Sequence, residues 1–277
     1  MVNELLGVEL MGGMGNQFFQ IANGIAFAKR FRLELCFPER WNTRSDRLPI
    51  WNTYFKDSNY KWELLSKSTF ESIQWHTLRE KHFAYSPLQL PKGFPFYKLY
   101  GYFQSSKYFS EYAKEIREIL QVPNYLLING SEILSYKNID PQNGWIVAHV
   151  RRGDYLSAAD FHVVTTPEYF KKAREDIDTH LQSKHNVCWI TDDSEWVKEN
   201  VWQEGDYIIS GEAMTDFAIL SQFPHMILSN SSYSWWAAWL NPYNYSDRRI
   251  CCPSKWFGPK GPQDYETIFE PEWIRIT

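Results

Sequence analysis

Trp145-Ile146-Val147-Ala148-His149-Val150 reads as a short, mostly apolar strand, and Arg151-Arg152-Gly153-Asp154 follows it at once. A helix then opens at Thr166-Pro167 and runs to about Leu181, since Thr is a favoured N-cap and Pro is tolerated at the first helical position. Residues 187–191 form the next strand, Asp192-Asp193 ends it, and Ser194–Asn200 reads as a helix. The pattern repeats: a strand at 207–210, a helix at 215–222 capped by Thr or Asp, and a strand at 226–229. A polar turn, a helix through 235–240 and a last strand at Arg249–Pro253 complete it. Alternation of this kind implies an α/β fold with a parallel sheet covered on both faces. Ligands of such sheets sit beyond the carboxyl ends of the strands, so the polar residues that end strands are the candidates for chemistry.

The first half begins the same way. Residues 5–10 are a strand, Gly12-Gly13-Met14-Gly15-Asn16-Gln17 is a turn, 18–30 carries a helical apolar stripe, and 33–37 is the next strand. Residues 38–95 are irregular and aromatic. Residues 96–103 are strand-like, and 108–120 make an amphipathic helix. Pro123, Asn129-Gly130 and Asp140-Pro141-Gln142-Asn143-Gly144 mark 122–143 as a connection. The chain therefore divides into two domains, 1–140 and 141–277.

Composition sets limits. The 277 residues can bury a core without disulfides or metals. Lys and Arg number 29 against 33 Asp and Glu, a net charge of −4, so the basic excess of a nucleic-acid binder is missing. Thirteen Trp, 17 Tyr and 18 Phe fit either a thick core or rings that stack on sugars. Cys36, Cys188, Cys251 and Cys252 have neither zinc spacing nor a CxxC pair, and reduced thiols in a cytoplasmic protein are expected. Glu4 and Glu9 stand where a signal peptide needs an apolar run. Residues 217–246 lack Asp, Glu, Lys and Arg, but Pro224, His225 and Ser229-Asn230-Ser231-Ser232 argue for buried core and a polar turn rather than a membrane span.

Three clusters end strands. Arg151 and Arg152 suit a diphosphate, because guanidinium binds phosphate oxygens bidentately. Neighbours in a strand point to opposite sides, so one arginine meets phosphate while an acid holds the other, with Asp154 the candidate acid. The turn Ser229-Asn230-Ser231-Ser232-Tyr233-Ser234 precedes a helix and can serve as an anion site or a generous cap. The glycine turn fails the dinucleotide pattern, since Phe18 stands where the last Gly belongs; Asn16 and Gln17 there can offer amide contacts. Asp192 and Asp193 read as helix-start acids, with metal binding or base chemistry as the sharper alternative. Asp216 reads as a cap or as a partner for two adjacent donors such as a guanine edge.

These blocks, with Gly101-Tyr102-Phe103-Gln104-Ser105 and Pro253-Ser254-Lys255-Trp256-Phe257, occur in an order that resembles glycosyltransferase family 11, the α-1,2-fucosyltransferases, in compact bacterial form. The resemblance spans residues 12 to 257 and implies a GT-B type fold, two Rossmann-like domains with an interdomain cleft. It implies an acceptor-side domain at 1–140 and a GDP-fucose domain at 141–277. The implied reaction moves fucose from GDP-fucose, with inversion, to the 2-hydroxyl of a terminal galactose in a glycan, with no metal or other cofactor. Arg151 would bind diphosphate and Arg152 would buttress the loop through Asp154. His149 and Asp216 would hold guanine and ribose. Ser231, Ser232 and Ser234 would take phosphate oxygens. Gly13 and Gly15 would lie against the ligand, and Asn16 would reach toward the sugar or acceptor. Asp154 and His149 are the candidate bases. A cytoplasmic location is expected, with no transmembrane segment and with peripheral association at the membrane's cytoplasmic face as a further reading. Rival readings are another fucosyl linkage (α-1,6 or O-linked), a carbohydrate-binding module and, disfavoured by Phe18, an oxidoreductase. Trp235, Trp236, Trp239 and Trp256 are expected in the core; Trp41, Trp51, Trp62 and Trp75 are the candidates for stacking on an acceptor sugar.

Overall fold

A computed structural model describes residues 4–40 and 49–277. The chain divides into two compact units. The first is Met1–Pro123 with Asp264–Phe269, and the second is Asn124–Gln263 with Glu270–Thr277.

In the first unit, β1 (Leu5–Val8), α1 (Met14–Phe31) and β2 (Glu34–Pro38) form the expected βαβ start. The helix begins at Met14, so the glycine turn is shorter than expected and Gly15, Asn16 and Gln17 are already helical. The stretch read as irregular also holds β3 (Leu64–Leu65), α2 (Lys67–Ser72) and β4 (His76–Arg79). β5 (Phe96–Tyr100) and α3 (Ala113–Ile119) follow. The sheet order is β3-β2-β1-β5-β4, and every pair is parallel.

The second unit opens with α4 (Asn124–Tyr136), a helix where the sequence reads as a connection. The expected boundary at 140/141 thus falls after an element that belongs with the second unit. Asn129-Gly130 looks like a turn, but Gly130 is a packing residue. A Cβ there would lie 2.8 Å from Gln222 Nε2 and 3.1 Å from Ile219 Cγ1. Then come β6 (Trp145–Val150), α5 (Gly153–Leu156), α6 (Pro167–Leu181), β7 (Asn186–Thr191) and α7 (Ser194–Asn200). β8 (Tyr207–Ile209), α8 (Ala213–Leu220), β9 (His225–Ile227), α9 (Ser232–Leu240), β10 (Arg249–Pro253) and β11 (Ile274–Ile276) complete it. Thr166 caps α6 and Pro167 is its first residue, as the sequence predicts. The cap of α8 is Glu212, which accepts from the backbone of Met214 and Thr215, rather than a Thr or Asp. The sheet order is β11-β10-β9-β6-β7-β8, again all parallel. The two Rossmann-like α/β units expected of a GT-B type are therefore present.

The aromatic excess is mainly core. Trp235, Trp236, Trp239 and Trp256 are buried as expected. Trp51, expected to be available to a sugar, is buried too, with Phe37 at 5.1 Å and Trp62 at 5.0 Å between ring centroids. Trp75 packs on Phe70, and its Nε1 donates to the Phe70 carbonyl at 2.8 Å. Trp41 lies outside the described residues. All four cysteines are free and buried. The uncharged stretch supplies the end of α8, β9 and α9, and no described helix is long and apolar enough to cross a membrane.

Candidate active site

In the second unit β6 lies between β9 and β7, so three loops leave adjacent strands at one edge. The β6–β7 register pairs His149 with Ile190 and Val150 with Thr191. One step further, Arg151 stands opposite Asp192, and Arg152 opposite Asp193. The side chains follow that ladder. Arg151 Nη1 is 2.8 Å from Asp192 Oδ2, and Arg152 Nε is 3.0 Å from Asp193 Oδ2. The backbone N–H of Arg152 also donates to Asp192 Oδ1 at 2.9 Å.

The two arginines differ in freedom. Arg152 is 13% exposed, clamped by Asp193 and laid over the Trp196 ring at 4.1 Å. Arg151 is 36% exposed and also pairs with Asp154 at 2.7 Å. An acid does hold one arginine, but it is Asp193 that holds Arg152. Asp154 pairs with Arg151, which corrects the expectation from sequence neighbourhood. Gly153 leaves room for this arrangement, since a Cβ there would come within 2.8 Å of Asp192 Oδ2. Asp193 is also the N-cap of α7, accepting from Trp196 N at 3.1 Å. Loss of a cap costs about 0.5–2 kcal/mol. We expect Asp193→Ala to lower the melting temperature by about 1–8 °C, with Asp193→Asn closer to wild type because its amide oxygen can still cap. Unchanged melting of the alanine variant would count against this dual role.

The serine turn lies on the other side of the arginine loop. Ser229, which sequence reasoning gave no separate role, joins the two: its hydroxyl donates to the His149 carbonyl at 2.6 Å and accepts from Arg151 N at 3.1 Å. Ser231 caps α9. Ser234 is buried, and its hydroxyl donates to the carbonyls of Ser229 and Ser231. It shapes the turn from inside. Ser232, at the first helical position, is more exposed than either neighbour serine. The hydroxyl of Tyr155 donates to the Asn230 carbonyl at 3.2 Å, tying the arginine loop to the serine turn, and its ring lies flat on His162 at 4.1 Å. Tyr155 directly follows the arginine block but carries no role in the sequence reading, and His162 does not stand out there, because aromatic residues are frequent throughout this chain.

His149 is buried, and burial with the nearby Arg151 charge pushes its imidazole down to about 3. It is therefore neutral near pH 7 and a weak base. Its ring lies 5.2 Å from that of Tyr233. Asp216 is buried near Tyr233 as well, accepts from Gly211 N at 3.0 Å, and is raised above the usual carboxylate range by burial. Hence the two residues expected at guanine and ribose share Tyr233 as a neighbour. Together the loop offers one half-exposed guanidinium, a helix N-terminus and hydroxyls, a donor set suited to phosphate oxygens.

In the first unit, Gly12 has φ +74°, a left-handed conformation that favours glycine, and Gly13 is the N-cap of α1. Gln17 Nε2 donates to the Gly12 carbonyl at 2.9 Å, so the donor end of this amide, expected to offer a contact to a ligand, is taken up by the turn. Gln20 fixes Met11 through both its oxygen and its nitrogen. Asn16 is half-buried and accepts from Gln104 Nε2 at 2.6 Å. Gly15 is buried within the first turn of α1.

The model of the family described as glycosyl transferase family 11 matches residues 2–277. The O-antigen biosynthesis glycosyltransferase WbnK of Escherichia coli is 28% identical over 61% of this chain and 57% of that one. An alpha-1,2-colitosyltransferase of Escherichia coli is 26% identical over 96% of this chain and 97% of that one. The galactoside alpha-(1,2)-fucosyltransferase 1 of Gorilla gorilla gorilla is 27% identical over 77% of this chain and 60% of that one. The chain thus spans less than two thirds of the length of two of these relatives. Among solved structures, NodZ alpha-1,6-fucosyltransferase soaked with GDP-fucose aligns with TM-score 0.52 at 12% identity, over 89% of this chain and 97% of that one. At that identity the likeness is one of fold.

Proposed function

The chain belongs to glycosyl transferase family 11, and from that premise we propose that it transfers L-fucose from GDP-fucose, with inversion, to the 2-hydroxyl of a terminal galactose. The observation that carries this reading is the pair Arg151–Arg152 at the end of β6, one arginine locked and the other half-exposed beside the N-terminus of α9. The likeness to α-1,2 transferases supports the linkage.

In an inverting transfer, the acceptor hydroxyl attacks the anomeric carbon opposite the leaving GDP. Negative charge then grows on the β-phosphate. Arg151 and the start of α9 stabilise that charge, and they act most strongly where it is greatest. Arg152, fixed by Asp193 and Trp196, holds the loop rigid. Of the two bases considered, Asp154 is the better suited, because buried His149 gains a proton only in acid. The carboxylate of Asp154 can take the hydroxyl proton once phosphate replaces it as partner of Arg151.

The test is GDP-fucose transfer to a panel of galactosides, with the linkage read by NMR. An α-1,2 product is expected; an α-1,6 product or none would overturn the assignment. GDP-colitose belongs in the same panel, since one relative bears that activity in its name. Preferential transfer of colitose would replace the donor and keep the linkage. Arg151 supplies the charge that a divalent metal supplies elsewhere, so EDTA should leave the rate unchanged. A loss restored by Mn²⁺ would overturn the metal-free reading.

A further inference from the structure

Gly101-Tyr102-Phe103-Gln104 has no part in the donor chemistry above, yet the protein holds this turn under strain. It follows β5, which lies beside both β1 and β4 in a parallel sheet. The carboxyl ends of all three strands therefore share one edge, which gathers Asn16, Glu80 and residues 101–104.

Phe103 has φ +53° and is fully buried. A bulky side chain seldom adopts that left-handed conformation, so its surroundings must enforce it. Glu80 does so. Its carboxylate accepts from Tyr102 N at 2.8 Å and from Phe103 N at 3.0 Å. Gly101 admits the carboxylate: a Cβ there would lie 2.4 Å from Glu80 Cβ. Ser105 anchors the far side by donating to the Thr267 carbonyl at 2.6 Å.

The bend sends neighbouring side chains to different places. Gln104 is nearly buried and donates to Asn16 Oδ1 at 2.6 Å. Asn16 in turn lies so close over Gly12 that a Cβ at residue 12 would sit 2.4 Å from its Nδ2. Tyr102 is 41% exposed. A fixed pair of amides, with an exposed aromatic residue two positions from Gln104 in the chain, suits a pyranose. Amides both donate to and accept from adjacent hydroxyls, and the ring covers an apolar C–H face.

We propose that Tyr102, Gln104 and Asn16 form the subsite that binds the acceptor galactoside, with Glu80 as the residue that positions the turn. This rests on the glycan-acceptor reading above and gives it an address in the first unit. Saturation-transfer NMR with methyl β-D-galactopyranoside tests it apart from catalysis, with and without GDP. The wild-type protein should bind the glycoside, and Tyr102→Ala should weaken binding about tenfold while Tyr102→Phe keeps it. GDP affinity should not change in either variant. Gln104→Ala, checked by melting to be folded, should weaken binding as well. Wild-type affinity in Tyr102→Ala, or no binding by the wild-type protein under either condition, would overturn the subsite. Failure of the donor reading would show itself separately, as loss of GDP binding by the wild-type protein.

Discussion

Arg151→Ala should fold normally and lose transfer by a factor of about a thousand or more. Removing one preorganised donor from a developing oxyanion typically costs about 10²–10³ in turnover, and this residue also contributes ground-state affinity for the diphosphate. The side chain is 36% exposed and makes ion pairs only at the loop surface. Its structural contact, the backbone N–H to Ser229, survives truncation. Arg151→Lys keeps the charge but not the planar fork, so its activity should fall between the two. Titration with GDP and initial rates with GDP-fucose check the result. Near-wild-type GDP affinity and rate in Arg151→Ala would remove the basis of the donor site.

Much of this loop was legible because its logic is local. An apolar strand followed at once by two arginines places them at a carboxyl edge, and the same holds for the serines after β9. What proximity in sequence could not supply was partnership. Asp154 is three residues from Arg151, and it seemed the natural clamp for Arg152. Parallel pairing instead brings Asp193, forty-one residues away from Arg152, across the edge. Once the β6–β7 register is known, two adjacent arginines facing two adjacent aspartates read as one ladder. Before it is known, Asp192-Asp193 looks like an ordinary helix start, and Asp193 is indeed also a cap. The helix α4 was hidden for a related reason. Gly130 breaks a helical pattern in sequence, yet in space it is what lets α4 approach α8. Trp51 misled in the opposite direction. An irregular, aromatic stretch suggested surface rings, while Phe37, Phe55 and Trp62 enclose Trp51.

Asp206→Ala should be the most destabilising single change outside the site. The Asp206 carboxylate is fully buried, and five donors converge on it. Arg174 supplies Nη1 and Nη2, each at 3.0 Å; the others are Val187 N at 2.9 Å, Trp189 Nε1 at 3.0 Å and Gln203 N at 3.0 Å. It thereby joins α6, the start of β7 and the loop before β8. Alanine leaves a largely buried guanidinium and several buried N–H groups without an acceptor. Breaking a buried pair in this way costs about 3–5 kcal/mol, a large part of the roughly 5–15 kcal/mol that holds a domain together. At about 2–4 °C per kcal/mol, melting should fall by about 6–20 °C. Asp206→Asn keeps one acceptor oxygen but turns an NH₂ toward donors, so it should lie in between. The position of the residue separates stability from function. Asp206 bonds near the amino end of β7, whereas Asp192 and Asp193 leave the carboxyl end. Well below its melting point, Asp206→Ala should therefore bind GDP with wild-type affinity. A melting temperature within 2 °C of wild type would deny the carboxylate its structural role. Weakened GDP binding in a sample that calorimetry finds fully folded would instead mean that strain at the foot of β7 reaches the arginine ladder at its head.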